Sequence, residues 1–499
     1  MTALVATIAY VLLLGIIILI SFINDVHIDM RRDDPDFRVK QYRRSAVGLL
    51  VFAALFFALT FGSAYWYKDF MLGYGPHKAA SEHGPEIDSL FNITLFFTGL
   101  VFVLATAALF WFAYKYRHVR GRVASQFAHS TKLEMIWTMV PALVMTILVV
   151  KGIVSWNQIT ADVSEGEEYL EIDITGQQFL WYIRYPGKDG KLGAKDFRLI
   201  EPGINELGQD WNDKRNHDDF FAEELILPKG RKIKLRIYAK DVLHSVFLPH
   251  FRVKMDAVPG MPTYAVFTPT MTTEEYRRRL AKTKTYQRPA DPDDPESDPL
   301  WKVFDYELAC AELCGIGHSS MRRVVKVVEP EEFDKWYNEQ KSYYKENIRF
   351  TDSDPYKDEL LPEEISQRKS DFESRFNRAL NAEEVAKRSI ELRYIEFKTG
   401  SAELSPLSRY ELDFVVEALK AHPNIRLEIA GHTDNVGNEE MNQKLSLARA
   451  KAVFDYFVSK GIAPERLKTV GYGSTRPKAD NASASGRSAN RRIELKIIK

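Results

Sequence analysis

The chain has 499 residues, and its 68 Lys and Arg residues are balanced by 68 Asp and Glu residues. A formal net charge of zero gives no support for nucleic acid or an acidic substrate as a partner of the whole chain. The length predicts several domains. Apolar residues are unevenly distributed, because nearly all the long apolar runs lie before residue 155.

Four apolar runs in the first third of the chain are long enough to cross a bilayer, which takes about 20 apolar residues. They are approximately Ala3–Ile23, Val47–Tyr65, Ile93–Ala113 and Met135–Val154. The first run is too long for a signal peptide, and it has neither a basic start nor a small-residue cleavage site. We therefore predict four transmembrane helices, the first of them a retained anchor.

The loops between these runs predict their orientation. Arg and Lys are concentrated after the first and third runs, in "DMRRDDPDFRVKQYRR" and "YKYRHVRGR". Such basic loops face the cytoplasm. Both termini, and everything after about Trp156, are then expected outside the cytoplasm, where the oxidising environment favours disulfides.

The region from Glu167 to Val328 has the pattern of an all-β sandwich or barrel, with short β-branched and aromatic runs separated by turn residues. Two polar stretches interrupt it, Lys188–Asp219 and Met271–Pro299. The second contains "DPDDPESD" and is interpreted as a solvated loop, with a cation site or a docking patch for a basic partner as alternatives. The segment "EPEEFDKWYNEQ" predicts a closing helix.

Residues 341–385 are dense in charged residues and Ser, and they predict a partly helical linker. From Glu391 onward, strand and helix patterns alternate and predict a compact α+β module of about 110 residues, large enough for its own core. In its second helix, apolar residues at helical spacing predict the buried face. These are Met441, Leu445, Ala448, Ala452, Tyr456 and Phe457.

The two cysteines of the chain fall in one segment, "CAELCGIGHSSM" at residues 310–321, spaced C-x3-C-x3-H-x2-M. A Cys310–Cys314 disulfide suits the compartment but leaves His318 and Met321 unexplained. A zinc site formed by the thiols, His318 and a further histidine leaves Met321 without a role. Copper accounts for the whole set, because thiolate, imidazole and a weak thioether are the ligands of electron-transfer copper.

Together with "DVLHSVFLPHFRVKMDAVPGM" at residues 241–261, this segment resembles the binuclear CuA site of subunit II of haem–copper cytochrome c oxidases. The resemblance implies two bridging thiolates, one histidine on each copper ion, and weak ligation by the methionine and by the backbone carbonyl of the glutamate. It also implies a magnesium ion shared with subunit I through the Glu312 side chain. The implied ligands are His244, Cys310, Glu312, Cys314, His318 and Met321.

Two further segments extend this resemblance. "KLEMIWTMVPALVMTILVV" resembles the second membrane helix of the family, which implies that Glu134 stands at the mouth of a proton-uptake channel. A solvated glutamate at a helix N-terminus, favoured by the helix dipole, is the alternative. The family's G-H-Q-W-Y-W segment stands here as "GQQFLW", residues 176–181. Phe179 occupies the position of the usual electron-entry tryptophan, and Trp181 remains as a route residue or a core residue.

The C-terminal segments "IAGHTDNVGNEEMNQKLSLARA" and "GYGSTRPKADNASASGRSANRRIEL" resemble the OmpA-like peptidoglycan-binding domain. The resemblance implies that Asp434 and Arg449 bind the diaminopimelate of the stem peptide and that Asn442 adds a polar contact. The chemistry suits a zwitterion, since a carboxylate accepts an ammonium and a guanidinium grips a carboxylate in a bidentate fork. As isolated charges these residues would be surface ion-pair residues of little energetic weight.

The expected architecture is multidomain: an α-helical membrane anchor, an all-β cupredoxin-like CuA domain and an α+β OmpA-like domain. The expected boundaries are 1–66 for two helices beyond the usual family pair, 90–156 for the family's transmembrane hairpin, 165–338 for the CuA domain, 341–385 for the linker and 390–499 for the OmpA-like domain.

The expected function is that of oxidase subunit II. It would accept electrons from cytochrome c, or from a cytochrome c domain, and pass them to haem in subunit I for oxygen reduction coupled to proton translocation. The expected location is a bacterial inner (cytoplasmic) membrane, with the CuA and OmpA-like domains in the periplasm and peptidoglycan as a further partner. Three alternatives remain: a quinol-oxidase subunit II, which lacks copper ligands, a purely structural anchor, and nitrous oxide reductase, which carries CuA but lacks such membrane runs.

Overall fold

The computed structural model describes residues 2–31, 33–124, 126, 129–398 and 400–498, with side chains from residue 15 onward except residue 17. The chain divides into two compact units, Met1–Tyr343 and Tyr344–Lys499. The first unit contains α1 (Thr2–Met30), α2 (Pro35–Tyr67), α3 (Gly84–Lys115), α4 (Thr131–Ile159), β1 (Leu170–Gln177), β2 (Leu180–Tyr185), β3 (Phe220–Ala222), β4 (Leu225–Pro228), β5 (Ile233–Ala239), β6 (His244–Leu248), β7 (Val253–Ala257), β8 (Thr263–Phe267), α5 (Thr273–Leu280), β9 (Tyr306–Cys310), β10 (Arg322–Val328) and α6 (Pro330–Glu339). The second contains α7 (Pro362–Leu380), β11 (Ser389–Leu392), α8 (Ser408–Ala421), β12 (Arg426–Gly431), α9 (Glu439–Ser459), β13 (Leu467–Gly471), α10 (Ala484–Asn490) and β14 (Ile493–Ile498).

Within the described residues, 3 helices rather than four are long and apolar enough to cross a membrane, and they contain the second, third and fourth predicted runs. The first predicted run, Ala3–Ile23, falls in α1, but most of its side chains lie outside the described residues. Helices α2 and α3 pack through aromatic rings, and the centre of the Phe102 ring lies 6.0 Å from the ring centres of both Phe56 and Phe57. Such close packing drives helix association in lipid, where burial from water contributes nothing.

The loop between α2 and α3 packs against the β-domain. The backbone N–H groups of Ala80 and Glu82 donate to carbonyls of the β-domain at 2.8 and 3.0 Å, and the Ser81 hydroxyl donates to the Phe251 carbonyl at 2.6 Å. This loop and the β-domain therefore lie on the same side of the membrane helices. The orientation predicted from the basic loops requires this arrangement.

Two five-stranded sheets form the β-domain, with strand orders β3-β2-β1-β5-β8 and β4-β10-β9-β6-β7. Side chains from both sheets share one core, including the fully buried Ile172 and Ile237 of the first sheet and Leu308 and Val325 of the second. The predicted all-β sandwich is confirmed. The closing helix is also confirmed as α6.

The first polar stretch is held by a buried guanidinium. Arg184 on β2 forms ion pairs with Asp173 at 2.8 Å and with Asp219 at 3.0 Å, and all three side chains are 1% exposed. The Arg184 guanidinium also donates to the Gly193 carbonyl within the stretch. Buried charges need such compensation, because an unpaired one would carry the full desolvation cost.

The second polar stretch differs from the predicted solvated loop. It begins with α5, whose N-terminus is closed by a capping box between Thr272 and Glu275. Tyr276 and Leu280 of this helix are fully buried. Two large side chains four residues apart are enough to anchor a short helix that is otherwise charged, and the longest continuously exposed part of the insert is the acidic run at residues 291–296.

A histidine joins this insert to the loop that precedes α3. His77 lies in that loop, and its ring nitrogens contact the Tyr286 hydroxyl at 2.5 Å and the Tyr276 hydroxyl at 3.3 Å. The His250 ring lies 5.4 Å from the Tyr276 ring and completes the cluster. Burial lowers the pKa of His77, so the imidazole is neutral and can act as both donor and acceptor.

The second unit is a four-stranded sheet in the order β11-β14-β12-β13, with α8 and α9 contributing to its core. The segment predicted as a linker, residues 341–385, is largely ordered in this unit. Its helix α7 buries Phe372 and Phe376 in the same core. These two residues lie four apart on one helix face, and this pattern is easily missed within a charged sequence.

A buried arginine organises the chain before α7. The Arg349 side chain is 3% exposed and forms ion pairs with Asp354 at 2.7 Å and Glu364 at 2.6 Å. The hydroxyl of the fully buried Tyr344 donates to Asp354 at 2.5 Å. Burial alone would raise the pKa of Asp354, but hydrogen bonds from Tyr344, the Phe350 N–H and Arg349 outweigh burial and lower it.

Arg349→Met is expected to destabilise the second unit by about 3–5 kcal/mol, because it leaves two carboxylates without their buried partner. The measurement is urea unfolding of the fragment 344–499. Lys357→Met is the matched control, since Lys357 pairs with Asp352 at 3.0 Å on an exposed surface and should contribute below about 1 kcal/mol. Equal free energies of unfolding for both variants would contradict the assignment.

Candidate metal centre

Strand pairing brings the two ligand-bearing segments together. Strand β6 begins at His244, strand β9 ends at Cys310, and the two are antiparallel neighbours with Val246 opposite Cys310. The Ala311 N–H extends the pairing by donating to the Ser245 carbonyl at 3.1 Å. The fold thereby places an imidazole beside a thiol 66 residues away along the chain.

Each thiol lies beside one imidazole. His244 Nδ1 is 3.9 Å from Cys310 Sγ, and His318 Nδ1 is 3.5 Å from Cys314 Sγ. The two sulfurs are 3.9 Å apart. Met321 Sδ lies 3.9 Å from Cys314 Sγ, and the methionine is fully buried.

These distances bear on the alternatives. Both cysteines are free thiols, and their separation exceeds the 2.05 Å of a disulfide bond. The Glu312 carbonyl lies 3.2 Å from Cys310 Sγ. Two thiols, two imidazoles, a buried thioether and a carbonyl fit a pair of copper ions, whereas zinc would use only the first four donors. Burial, together with the neighbouring Cys310, raises the pKa of Cys314 to about 11, so two thiolates here need bound cations.

Two residues that the sequence did not single out support the ligands. The Asp241 carboxylate lies 2.9 Å from His244 Nε2, which directs Nδ1 toward Cys310. The Gln178 N–H donates to the other Asp241 oxygen at 2.8 Å, and its side-chain amide donates to the Cys314 carbonyl at 2.5 Å. Such partners fix ring orientation and tautomer. The sequence signal that could have identified Asp241 is its position three residues before the predicted ligand His244.

Trp181 lies against the donor set but not at the surface. It is 1% exposed, its ring lies 5.9 Å from the His244 ring, and its indole N–H donates to the Met321 carbonyl at 3.4 Å. Phe179 is 36% exposed and packs over the cysteine loop, where a Cβ at Gly317 would come within 2.5 Å of its ring. Phe179, rather than Trp181, is therefore the aromatic ring that reaches both solvent and this loop.

Two predictions made from the sequence, the proton-entry role of Glu134 and the magnesium site at Glu312, are not supported by contacts in the structure. Glu134 lies in the first turn of α4 and accepts a hydrogen bond from the Ser130 N–H at 3.3 Å, which is a helix-terminus contact. Among the described residues, the cluster of His, Cys, Asp or Glu side chains that lie close enough together to hold a metal ion consists of His244, Cys310 and Cys314. It does not include the Glu312 side chain, so the expected magnesium site has no support.

A groove of about 710 Å³ in the second unit contains all three residues expected to bind peptidoglycan. Arg449 is 7% exposed; its Nε donates to the Ser401 carbonyl at 3.0 Å and its guanidinium lies 4.9 Å over the Phe397 ring. Its two terminal nitrogens form no hydrogen bond with any residue in the described part of the chain. Asn442 donates to the Val436 carbonyl at 3.1 Å and so holds the loop that carries Asp434.

Family models cover most of the chain. The model for the transmembrane domain of cytochrome c oxidase subunit II matches residues 71–155, and the model for its periplasmic domain matches residues 170–275. The second match ends inside the insert, before the cysteine segment. The OmpA family model matches residues 396–491.

Curated relatives match the same two parts. The alternative cytochrome c oxidase subunit 2 of Bradyrhizobium diazoefficiens is 32% identical over 259 residues, which cover 52% of this chain and 81% of the relative. Cytochrome c oxidase subunit 2 of Cereibacter sphaeroides is 25% identical over 279 residues, covering 53% and 79%. The peptidoglycan-binding protein ArfA of Mycobacterium bovis is 45% identical over 103 residues, covering 21% of this chain and 32% of ArfA.

Among solved structures, the periplasmic domain of subunit II of cytochrome oxidase (CoxB) of Bradyrhizobium japonicum matches with 25% identity and a TM-score of 0.21, covering 34% of this chain and 90% of that domain. The oxidase relatives are subunits of an oxidoreductase complex. The chain belongs to the cytochrome c oxidase subunit II family and carries a C-terminal OmpA family domain.

Proposed function

We propose that the chain accepts electrons from cytochrome c, or from a cytochrome c domain, at a binuclear CuA centre. It passes them to haem in subunit I, where oxygen reduction is coupled to proton translocation. The observation that carries this proposal is the pairing of each thiol with its own imidazole, with a buried thioether and a carbonyl beside them. A quinol-oxidase subunit or a purely structural anchor would not need this donor set.

The chain's own residues keep the centre rigid. Cys310, Cys314, His244 and His318 would hold the copper ions, which would supply a site for one-electron transfer. Asp241 fixes the His244 ring, and the fully buried Met321 closes the inner side of the donor set. A site held by strand pairing and buried side chains rearranges little when its charge changes, and its hydrogen bonds and packing tune the potential.

In this proposal the donor approaches at Phe179, the exposed ring over the cysteine loop. Trp181 lies behind it between His244 and the Met321 carbonyl, and contributes to the inner packing along the electron route. Glu134 is proposed to admit protons on the cytoplasmic side. The chain is proposed to lie in a bacterial inner membrane, with both globular parts in the periplasm and with the domain boundaries expected from the sequence.

The second part of the proposal is that the C-terminal unit anchors the oxidase to peptidoglycan. Asp434 accepts the ammonium of the stem-peptide diamino acid, and Arg449 takes its carboxylate. Phe397 and Ser401 already hold one side of the Arg449 guanidinium, so the two free terminal nitrogens are preorganised for a bidentate contact. Preorganisation lowers the entropic cost of binding.

Copper reconstitution tests the metal centre. The full-length chain in detergent should bind two copper ions and absorb strongly in the visible region, as a mixed-valence pair with thiolate ligands does. Cys310→Ser or Cys314→Ser should abolish that absorption, and Met321→Leu should shift it. Met261→Leu is the control, because that methionine is 56% exposed and lies outside the donor set. One zinc ion per chain without visible absorption would contradict the copper proposal.

Asp241→Asn should weaken copper binding by about 10–100-fold while leaving the stoichiometry unchanged, because His244 loses the carboxylate that orients it. Copper competition with a chelator, followed by the visible spectrum, measures the effect. Asp256→Asn is the matched control, since Asp256 is exposed on the neighbouring strand. Identical copper affinities in the two variants would remove Asp241 from the site.

Sedimentation with peptidoglycan sacculi tests the anchor. Asp434→Ala and Arg449→Ala should each lower affinity by about thirtyfold or more, since each leaves one charge of the bound zwitterion without its partner. Lys444→Ala is the control, because Lys444 forms an exposed pair with Glu440 on the same helix. Oxidase turnover in detergent should not change. Undiminished sedimentation of both groove variants would contradict the proposal.

A further inference from the structure

We propose that Arg491 occupies the ammonium site of the groove until ligand displaces it, and that it then binds a ligand carboxylate beside Arg449. The groove thereby selects a diamino acid whose ammonium carries an adjacent carboxylate over a lysine-type side chain. This inference rests on the proposed binding of peptidoglycan and names the side-chain chemistry that the groove selects.

The first observation is that both carboxylate oxygens of Asp434 already have a partner. Oδ2 pairs with Arg491 Nη1 at 2.8 Å, and Oδ1 accepts the Val436 N–H at 3.1 Å. The Asp434 side chain is only 14% exposed, which leaves little room for a further partner. A ligand ammonium must therefore compete with the Arg491 guanidinium for this carboxylate.

Arg491 is free to make this exchange. It directly follows α10, and its side chain is 45% exposed. Within the described part of the chain, the hydrogen bond and ion pair of its guanidinium are to Asp434. Its neighbour Arg492 is directed elsewhere and pairs with Glu494 at 2.7 Å, with an 8% exposed side chain.

The charges of the groove indicate what the displaced guanidinium meets. Arg449, Arg487 and Arg491 line the groove together with the carboxylates Asp434 and Glu396. Arg487 already donates to the Asn481 and Ala482 carbonyls, which fixes it in place. Burial lowers the pKa of Arg449, and the positive charge of Arg491 lowers it further. The two arginines thus repel each other and are both stabilised by an anion between them.

Discrimination follows from this arrangement. An ammonium alone would displace Arg491 from Asp434 without bringing an anion for the two guanidinium groups. An ammonium with an adjacent carboxylate supplies the anion at the same time as it takes Asp434. A site built for a charged hydrogen-bond partner strongly rejects an analogue that lacks it, because its own polar groups are left unpaired.

The test measures binding of meso-diaminopimelate and of Nα-acetyl-L-lysine to the full-length chain in detergent, by calorimetry. The wild type should prefer meso-diaminopimelate by about tenfold or more. Arg491→Gln should weaken meso-diaminopimelate binding, leave or strengthen binding of the lysine derivative, and so abolish the preference. Arg492→Gln should retain the wild-type preference.

Three outcomes would overturn the inference. Unchanged affinities for both ligands in Arg491→Gln would mean that this arginine is a bystander. Tighter meso-diaminopimelate binding with the preference retained would mean that Arg491 only competes and never binds the carboxylate. If the wild-type chain neither sediments with sacculi nor binds meso-diaminopimelate, the peptidoglycan proposal itself fails.

Discussion

Two neighbouring strands of one sheet, β6 and β9, each carry part of the metal donor set, and their register decides whether a site exists. With Val246 opposite Cys310, the histidine at the start of β6 and the thiol at the end of β9 reach the same space. A shift by one residue would turn Cys310 to the other face of the sheet, because side chains alternate. Asp241 contacts the His244 ring, Trp181 packs against that ring, and Gln178 donates to Asp241, so all three support a histidine that this pairing has already placed.

The proposed copper ligands could be named from the sequence because most of them are local. Cys310, Cys314 and His318 lie on one short segment, where spacing alone brings donors close together. Gln178 was not predictable, because it contacts the Cys314 carbonyl from 136 residues away. A contact between residues so far apart along the chain produces no periodic pattern in the sequence.

The core face of α9 shows a different limit. Of the predicted stripe, Met441 is 71% exposed, Ala448 is exposed, and only Phe457 is fully buried. The buried side of α9 instead contains polar residues, including Asn442 and Arg449, because this part of the helix faces the groove. Where burial serves a binding site, it no longer follows hydrophobicity, and an apolar pattern then indicates the wrong face.

The loop that follows the additional helix α2 contacts the insert between the two proposed ligand segments. His77 belongs to this loop, and Tyr276 and Tyr286 belong to the insert. These residues are 199 and 209 positions apart, so neither segment predicts the other from the sequence. Without the insert the His77 ring would lose both hydroxyl partners, and a buried polar group left without a partner carries a desolvation cost.

The folded segment ahead of the OmpA match has a consequence for how the second unit can be isolated. Phe372 and Phe376 of α7 are buried in the same core as the sheet, and Arg349 and Asp354 form a buried pair ahead of this helix. A fragment that begins at residue 390 would therefore lose part of its own core and expose the apolar surface that these two rings cover. Exposed apolar patches of this kind promote aggregation. A fragment that begins at residue 344 keeps this surface covered and is expected to be the more soluble of the two.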